Sequence, residues 1–244
     1  NDVTALVKAF ETYKNEIACV ITEPILANSG SCNPKNGYLE TIISLCKQSG
    51  AISIFDEVIT GFRIELGGAR EYYHLDPDLS VYAKAMANGF TMSAVGGKRE
   101  IFDVLRDKRT IHAGTYNGNS INLAAALSTL NQLSEPGIYQ KMHQHGNAIR
   151  ATIAEEGKIA GIKVITSGLG TVFSVHFGFE KQPENYEDTF NADLNQQKEF
   201  RKYLLESAVQ VLPDGRWYVS ASHKENELAF VKDAIKNAFR KLRK

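Results

Sequence analysis

The 244-residue sequence has little cysteine, no excess of charge of either sign and no long apolar run. Its three cysteines, Cys19, Cys32 and Cys46, are too far apart for a metal knuckle and too few for a disulfide framework. The 28 basic residues equal the 28 acidic ones, so no overall field attracts nucleic acid or a membrane surface. No apolar stretch approaches the roughly 20 residues that span a bilayer. Because the first residues also lack the order of a secretion signal, we expect an untargeted cytoplasmic protein that acts on small molecules.

The order of the apolar runs predicts an α/β fold with a mainly parallel sheet. Apolar residues at helical spacing after Asp2 predict a first helix. The run at 17–21 predicts a strand, residues 38–49 predict a helix, and the run at 51–55 predicts a second buried strand. Because strands joined by a helix pair in parallel, we expect a sheet between helices, with ligands beyond the carboxyl ends of its strands.

A break in the pattern predicts a second, smaller domain. The run 134–137 reads Ser-Glu-Pro-Gly and is the clearest interruption in the chain. We therefore predict a large-domain portion at 1–133 and a small α+β domain at 134–244. The other predicted strands are at 78–82, within 88–97, near 162–166 and at 171–177, and the other predicted helices are at 101–106, 121–133, 138–156, 193–208 and from 224 onward.

Asp56 and Lys84 are the two residues that say most about function. Asp56 follows the buried run 51–55, and Lys84 stands on a later loop, 84 − 56 = 28 positions further on. An acid at the end of a strand and a lysine on a neighbouring loop suit an enzyme that holds pyridoxal phosphate (PLP), because the acid keeps the pyridine nitrogen protonated and the lysine bonds to the aldehyde and then moves the proton. An Asp in this place also often caps a turn, so both interpretations stay open.

Two other interpretations of the polar residues are weaker. A nucleotide-binding domain would need a phosphate loop of the form G-x-x-x-x-G-K-[ST], and the sequence has none. The six histidines form no cluster with metal-ligand spacing, so we assign no metal. His143 and His145 are expected to share the surface of one helix.

The surroundings of Lys84 and a later glycine-rich stretch add two expectations. Residues 81–87 other than Lys84 are apolar or weakly polar, so we expect the amine to point into a dry environment, where its charged form is disfavoured. The stretch 112–119 contains Gly114 and Thr115 and precedes a predicted helix, which suits a phosphate bound by backbone N–H groups and a hydroxyl. A plain loop with a helix cap explains this stretch nearly as well.

Four motifs, in this order, resemble the class III PLP-dependent aminotransferases. They are Glu23-Pro24-Ile25, Phe55-Asp56-Glu57-Val58-Ile59-Thr60-Gly61-Phe62-Arg63, the loop of Lys84, and Gly114-Thr115-x-x-Gly118-Asn119. The closest branch contains glutamate-1-semialdehyde aminomutase and related aminotransferases, and the resemblance extends over nearly the whole chain. It implies fold type I, PLP as the cofactor, and a homodimer with active sites at the subunit interface.

The resemblance also implies roles for individual residues. Asp56 would pair with the pyridine nitrogen, Lys84 would be the Schiff-base lysine, and Val58 would pack on one face of the ring. Thr115 would reach the phosphate of the neighbouring subunit's cofactor. Asn28 stands where ornithine- and 4-aminobutyrate-type members carry a glutamate and the aminomutase branch carries an asparagine. The predicted cofactor-binding residues are thus Lys84, Asp56, Val58, Asn28, Gly114 and Thr115, and the predicted catalytic residues are Lys84 and Asp56.

The implied reaction moves an amino group between an amino donor and a carbonyl acceptor. Aminomutases typically carry three glycines after the lysine, where this chain has Ala85-Met86-Ala87-Asn88-Gly89. We therefore favour an aminotransferase and keep the intramolecular aminomutase as the alternative. Family members also carry a long N-terminal portion with the phosphate-binding loop. We expect this chain to correspond to the C-terminal part only, as a fragment, as one half of a split enzyme with a partner chain, or as a non-catalytic interaction subunit.

Overall fold

The protein is described by a computed structural model, and the structure describes residues 1–243. The chain folds into two compact units, residues 1–24 with 34–135 and residues 25–33 with 136 onward. The sequence pattern does not predict that 25–33 belongs with the second unit. The assignment of 1–133 to a partial cofactor-binding domain and of 134–244 to a small domain stays a prediction.

The first unit contains a four-stranded sheet with helices. Its elements are α1 (Val3–Thr12), β1 (Cys19–Thr22), α2 (Tyr38–Ser49), β2 (Ile52–Glu57), α3 (Gly68–Tyr72), β3 (Leu79–Tyr82), a 3-10 helix (Lys84–Ala87), β4 (Ala94–Gly97), α4 (Arg99–Arg106) and α5 (Ser120–Leu133). The strand order is β1-β2-β3-β4, in which the first three strands are parallel and β4 is antiparallel to β3. The α/β fold class predicted from the sequence is confirmed.

The core of this unit forms where α2 packs on β2. Leu39, Ile42 and Cys46 recur at helical spacing and pack with Ala51 and Phe55. Phe55 is fully buried, and the burial of such a side chain contributes about 1.5–3 kcal/mol. Because side chains alternate along a strand, the next residue after Phe55 points to the opposite face of the sheet.

Strand β2 is longer at its carboxyl end than the sequence predicts. The predicted strand ends at Phe55, whereas β2 continues through Asp56 and Glu57, which pair with Val81 and Tyr82 of β3. Charged residues usually mark the end of a buried strand, but here the neighbouring parallel strand supplies backbone partners for both. Asp56 is therefore the last residue but one of the strand.

The second unit is an α+β arrangement around a three-stranded antiparallel sheet. Its elements are α6 (Ile138–Ala160), β5 (Val164–Leu169), β6 (Val172–Phe177), a 3-10 helix (Glu187–Asn191), α7 (Leu194–Glu206), β7 (Arg216–Tyr218) and α8 (Glu225–Leu242). The order is β5-β6-β7. Strand β7 is absent from the sequence prediction, because its three residues are too few to show a period and depend on pairing with β6.

Both faces of β6 are covered, which explains why every residue of this strand is buried. On one face, the ring of Phe177 lies 5.2 Å from that of Phe200 in α7, measured between centroids. On the other face, Ser174 Oγ lies 2.8 Å from Ser31 Oγ, so residues 25–33 cover this side of the strand. No helix within residues 1–243 combines the length and apolar character that a membrane crossing requires.

Candidate active site

Asp56 lies at the carboxyl end of β2, on the face of the strand opposite to Phe55. It is half-buried, and its Oδ1 accepts a hydrogen bond of 3.0 Å from the N–H of Val58. This local turn orients the carboxylate through the backbone of its own segment. An acid held in this way can accept a further hydrogen bond through its other oxygen.

Lys84 begins the 3-10 helix that follows β3, and its backbone is unusual. Its φ angle is +42°, in the left-handed region that residues with a side chain rarely adopt. Such a conformation costs of order 1–2 kcal/mol and is often found at functional sites. Other residues with side chains, such as Lys108, share a positive φ, so the strain supports a functional role for Lys84 only together with its position after β3.

The expectation that Lys84 points into a dry environment is wrong for this chain. Lys84 is exposed, whereas Met86 and Ala87 of the same 3-10 helix are buried. The apolar neighbours therefore pack on the opposite side of the turn and do not surround the amine. Apolar sequence neighbours show that a segment is anchored, but they do not show where each side chain points.

The sheet brings Asp56 and Lys84 to the same edge. Asp56 pairs with Val81, and Lys84 follows three positions after Val81. Neighbouring strands lie about 4.8 Å apart, and three extended residues span about 10 Å. The two α-carbons are therefore within roughly 11 Å of each other, at the carboxyl end of adjacent parallel strands. Glu23 directly follows β1, which ends at Thr22. Because Thr22 pairs with Phe55 of β2, Glu23 lies at the same edge of the sheet.

The loop after Asp56 is tied down by Glu57, a residue that the sequence pattern does not single out. Glu57 is fully buried, and its carboxylate accepts hydrogen bonds from Thr60 Oγ1 at 3.0 Å, from Ala69 N at 2.5 Å and from Arg70 N at 3.1 Å. Burial raises the pKa of Glu57, and the three hydrogen bonds partly oppose that rise. The sequence signal that could have indicated this role is an acid next to Asp56, followed by the hydroxyl of Thr60 and later by Gly67 and Gly68.

The remaining predicted site residues are placed as follows. Val58 is half-buried and lies in the turn next to Asp56. Gly114 and Thr115 are exposed and precede α5, whose first turn is capped by Asn119 Oδ1. Asn28 belongs to the second unit, where its Oδ1 accepts a hydrogen bond of 2.5 Å from Arg216 Nη1. The cofactor contacts expected of these residues stay predictions.

Residues 1–243 contain no group of three His, Cys, Asp or Glu side chains placed to hold a metal ion. One histidine is placed differently from its predicted position on a helix surface: His145 is buried, with Nε2 lying 3.0 Å from Glu225 Oε1. This contact joins α6 to the first residue of α8 within the second unit.

Comparison with known proteins places this arrangement in context. The family model described as aminotransferase class-III matches residues 1–243. Among solved structures, a transaminase with PLP bound superposes with a TM-score of 0.88 at 23% sequence identity, over 99% of this chain and 56% of that one. An omega-transaminase from Sphaerobacter thermophilus superposes with a TM-score of 0.93 at 24% identity, over 100% of this chain and 56% of that one.

A glutamate-1-semialdehyde aminomutase from Pseudomonas aeruginosa PAO1 superposes with a TM-score of 0.86 at 21% identity, over 99% of this chain and 55% of that one. These likenesses establish the fold. The chain spans little more than half the length of the solved structures it matches.

Proposed function

Since this chain belongs to the class III aminotransferase family, we propose that it supplies the Schiff-base lysine and the pyridine-nitrogen aspartate of a PLP-dependent aminotransferase. The substrates would be a small amino donor and a carbonyl acceptor. The observation that carries the proposal is the position of Asp56 and Lys84 at the same carboxyl edge of two adjacent parallel strands.

The residues of the site fit PLP in their chemistry. A pyridinium nitrogen needs an anionic acceptor, and Asp56 offers a carboxylate that is oriented by the N–H of Val58. An aldehyde needs an amine that can approach it, and Lys84 presents an exposed amine at the same edge. PLP bound here would supply an electron sink for the charge left when the amino donor loses its α-proton.

The chain's own residues would then act on protons and charge. Asp56 would hold the proton on the pyridine nitrogen, because a carboxylate stabilises the cationic ring more than water does. The Lys84 amine, released once the amino donor has taken its place, would accept the proton from the donor's α-carbon. Val58, fixed beside Asp56, would limit the position of the ring on one face.

Borohydride trapping tests the assignment of Lys84. The protein, together with the polypeptide that supplies the N-terminal part, is incubated with PLP, reduced and digested, and we expect the cofactor on the peptide that contains Lys84. Lys84→Ala abolishes this adduct. The matched control is Lys108→Ala, because Lys108 is also exposed and also has a left-handed backbone, with φ +57°. An adduct on the same peptide of Lys84→Ala would contradict the proposal.

We also propose that the assembled enzyme is a homodimer or contains a partner chain with the N-terminal half. Support comes from large apolar side chains that are exposed on and before α5, including Ile111 (87%), Ile121 (67%) and Leu127 (63%). Exposed apolar surface of this kind is unfavourable in water and is typical of an interface. Leu127→Lys is expected to weaken assembly in sedimentation experiments, whereas Ile159→Lys, at an exposed apolar position of α6, leaves it unchanged. Equal effects of the two substitutions would argue against an interface at α5.

A further inference from the structure

Glu57 is the one acidic residue among residues 1–243 that is fully buried. A buried carboxylate is unfavourable unless its oxygens are hydrogen-bonded, and this one accepts three hydrogen bonds. All three donors come from the segment that follows Asp56, namely Thr60, Ala69 and Arg70. The carboxylate therefore closes this segment back onto the end of β2.

The backbone of the segment is built for this close approach. Gly68 has a φ of +69°, and a Cβ added there would overlap Glu57 Oε2 and lie 2.8 Å from Glu57 Cδ. The backbone oxygen of Glu57 also accepts a hydrogen bond of 2.8 Å from Gly61 N. Glu57 thus holds the segment 58–70 near both of its ends, through its side chain and through its main chain.

The segment held by Glu57 contacts both strands of the proposed site. Val58, at its start, donates to Asp56 Oδ1 at 3.0 Å. Phe62, in its middle, packs on Tyr82, the last residue of β3, with ring centroids 5.2 Å apart. Phe62 has a φ of +56°, so its backbone is strained and needs surrounding contacts to hold it. Lys84 follows Tyr82 by two positions.

We infer that Glu57 is a positioning residue, which orients the Asp56 carboxylate by fixing the segment 58–70 and thereby the N–H of Val58. This inference rests on the proposed function, because Asp56 is the group whose orientation matters. Glu57 is fully buried and would act through its three hydrogen bonds, without itself contacting the cofactor or the substrate. Asp56 would therefore face the site, and Glu57 would hold the backbone segment that orients Asp56.

Amide hydrogen exchange of the chain tests the first step without any cofactor. In Glu57→Gln the side-chain oxygen can still accept the hydrogen bonds from Thr60 and Ala69. The NH₂ group then faces the N–H of Arg70, so the third hydrogen bond is lost. We expect exchange at Val58 and through 58–70 to become at least about tenfold faster, equivalent to about 1.4 kcal/mol, while exchange in β6 is unchanged. Thr60→Val instead removes one of the three donors to Glu57 at nearly constant side-chain shape, and we expect a smaller increase in exchange at the same amides.

Glu71→Gln is the matched control. Glu71 also binds the backbone of this segment, through a hydrogen bond from Gly67 N to its Oε2, but it is exposed and lies at the far end. We expect this variant to leave the exchange of Val58 unchanged. If Glu57→Gln unfolds the first unit, Thr60→Val decides the question. Unchanged exchange at Val58 in Thr60→Val, or in a folded Glu57→Gln, would overturn the inference.

The absorbance of bound PLP tests the second step in the full-length protein or complex. A merely structural role would lower the fraction of protein that binds PLP without changing the spectrum of each bound cofactor. We expect Glu57→Gln to alter the pH dependence of the visible band in the same direction as Asp56→Asn, with the reduced adduct still on Lys84. An unaltered band would overturn the positioning role. Failure of the wild type to bind PLP would instead refute the proposed function, and the exchange experiment would still report on Glu57.

Discussion

Gly68→Ala provides the sharpest test of how the segment after Asp56 is held. The left-handed backbone at Gly68 costs an alanine about 1–2 kcal/mol, of which about 0.4–1 kcal/mol is returned through the less flexible unfolded chain. The new Cβ would also overlap Glu57 Oε2, which accepts from both Thr60 and Ala69. Hydrogen bonds to a charged group contribute about 1.5–3 kcal/mol each. With at least one of them lost, we expect a total loss of about 3 kcal/mol in the free energy of unfolding.

Urea unfolding followed by circular dichroism measures this loss. The control is Gly50→Ala, because Gly50 has nearly the same φ, +73°, and open space around the position of a Cβ. For the control, we expect only the difference between backbone strain and chain entropy, about 1 kcal/mol or less. If the free energies of unfolding of Gly68→Ala and Gly50→Ala differ by less than about 1 kcal/mol, the buried carboxylate of Glu57 does not restrain the segment 58–70 as described.

Two further predictions concern other parts of the chain. Burial alone would raise the pKa of Asp78, but hydrogen bonds from Lys98 and Ser53 outweigh burial and hold the pKa below its usual value. The ionised Asp78 therefore stabilises the folded chain above about pH 3.8, and this stabilisation is lost as the pH falls further. Asp78→Asn should therefore destabilise the chain by about 1–2 kcal/mol at neutral pH and flatten the acid limb of urea unfolding; an acid limb of unchanged slope would contradict this. Burial, and then the charge of Asp188, raise the pKa of Cys32 to about 11, so a thiol reagent near neutral pH should modify the exposed Cys19 first. A fast phase that persists in Cys19→Ser would show that this assignment is wrong.

Much of the fold could be predicted because its signals are local. Asp2 caps α1 through a hydrogen bond of 2.8 Å from Ala5 N, as its place before an apolar helix indicates. The predicted helix 38–49 is confirmed without a shift of boundary, because its apolar spacing and the glycines that flank it all agree. The predicted strand at 171–177 is confirmed as β6, since its run of mainly apolar and β-branched residues is typical of a buried strand.

The features that could not be predicted depend on contacts between distant segments. The strand β7 exists through its pairing with β6, and residues 25–33 join the second unit through contacts such as Ser31 with Ser174. The exposure of Lys84 depends on which side of a turn packs inward, which apolar composition alone does not tell. Glu57 stands out in the sequence only as part of a motif, because the donors that explain its burial lie up to 13 positions away.

The parallel register of β2 with β3 has a consequence for how this chain can evolve. A shift of pairing by a single residue would turn every side chain of β2 to the opposite face. A slip that moves Asp56 into the place of Glu57 would bring its carboxylate towards the backbone amides of Ala69 and Arg70. One methylene shorter, Asp56 could not reach them. Neighbouring acids of different length thus lock the alignment of the strand, so exchanging the two residues should leave both positions unsatisfied.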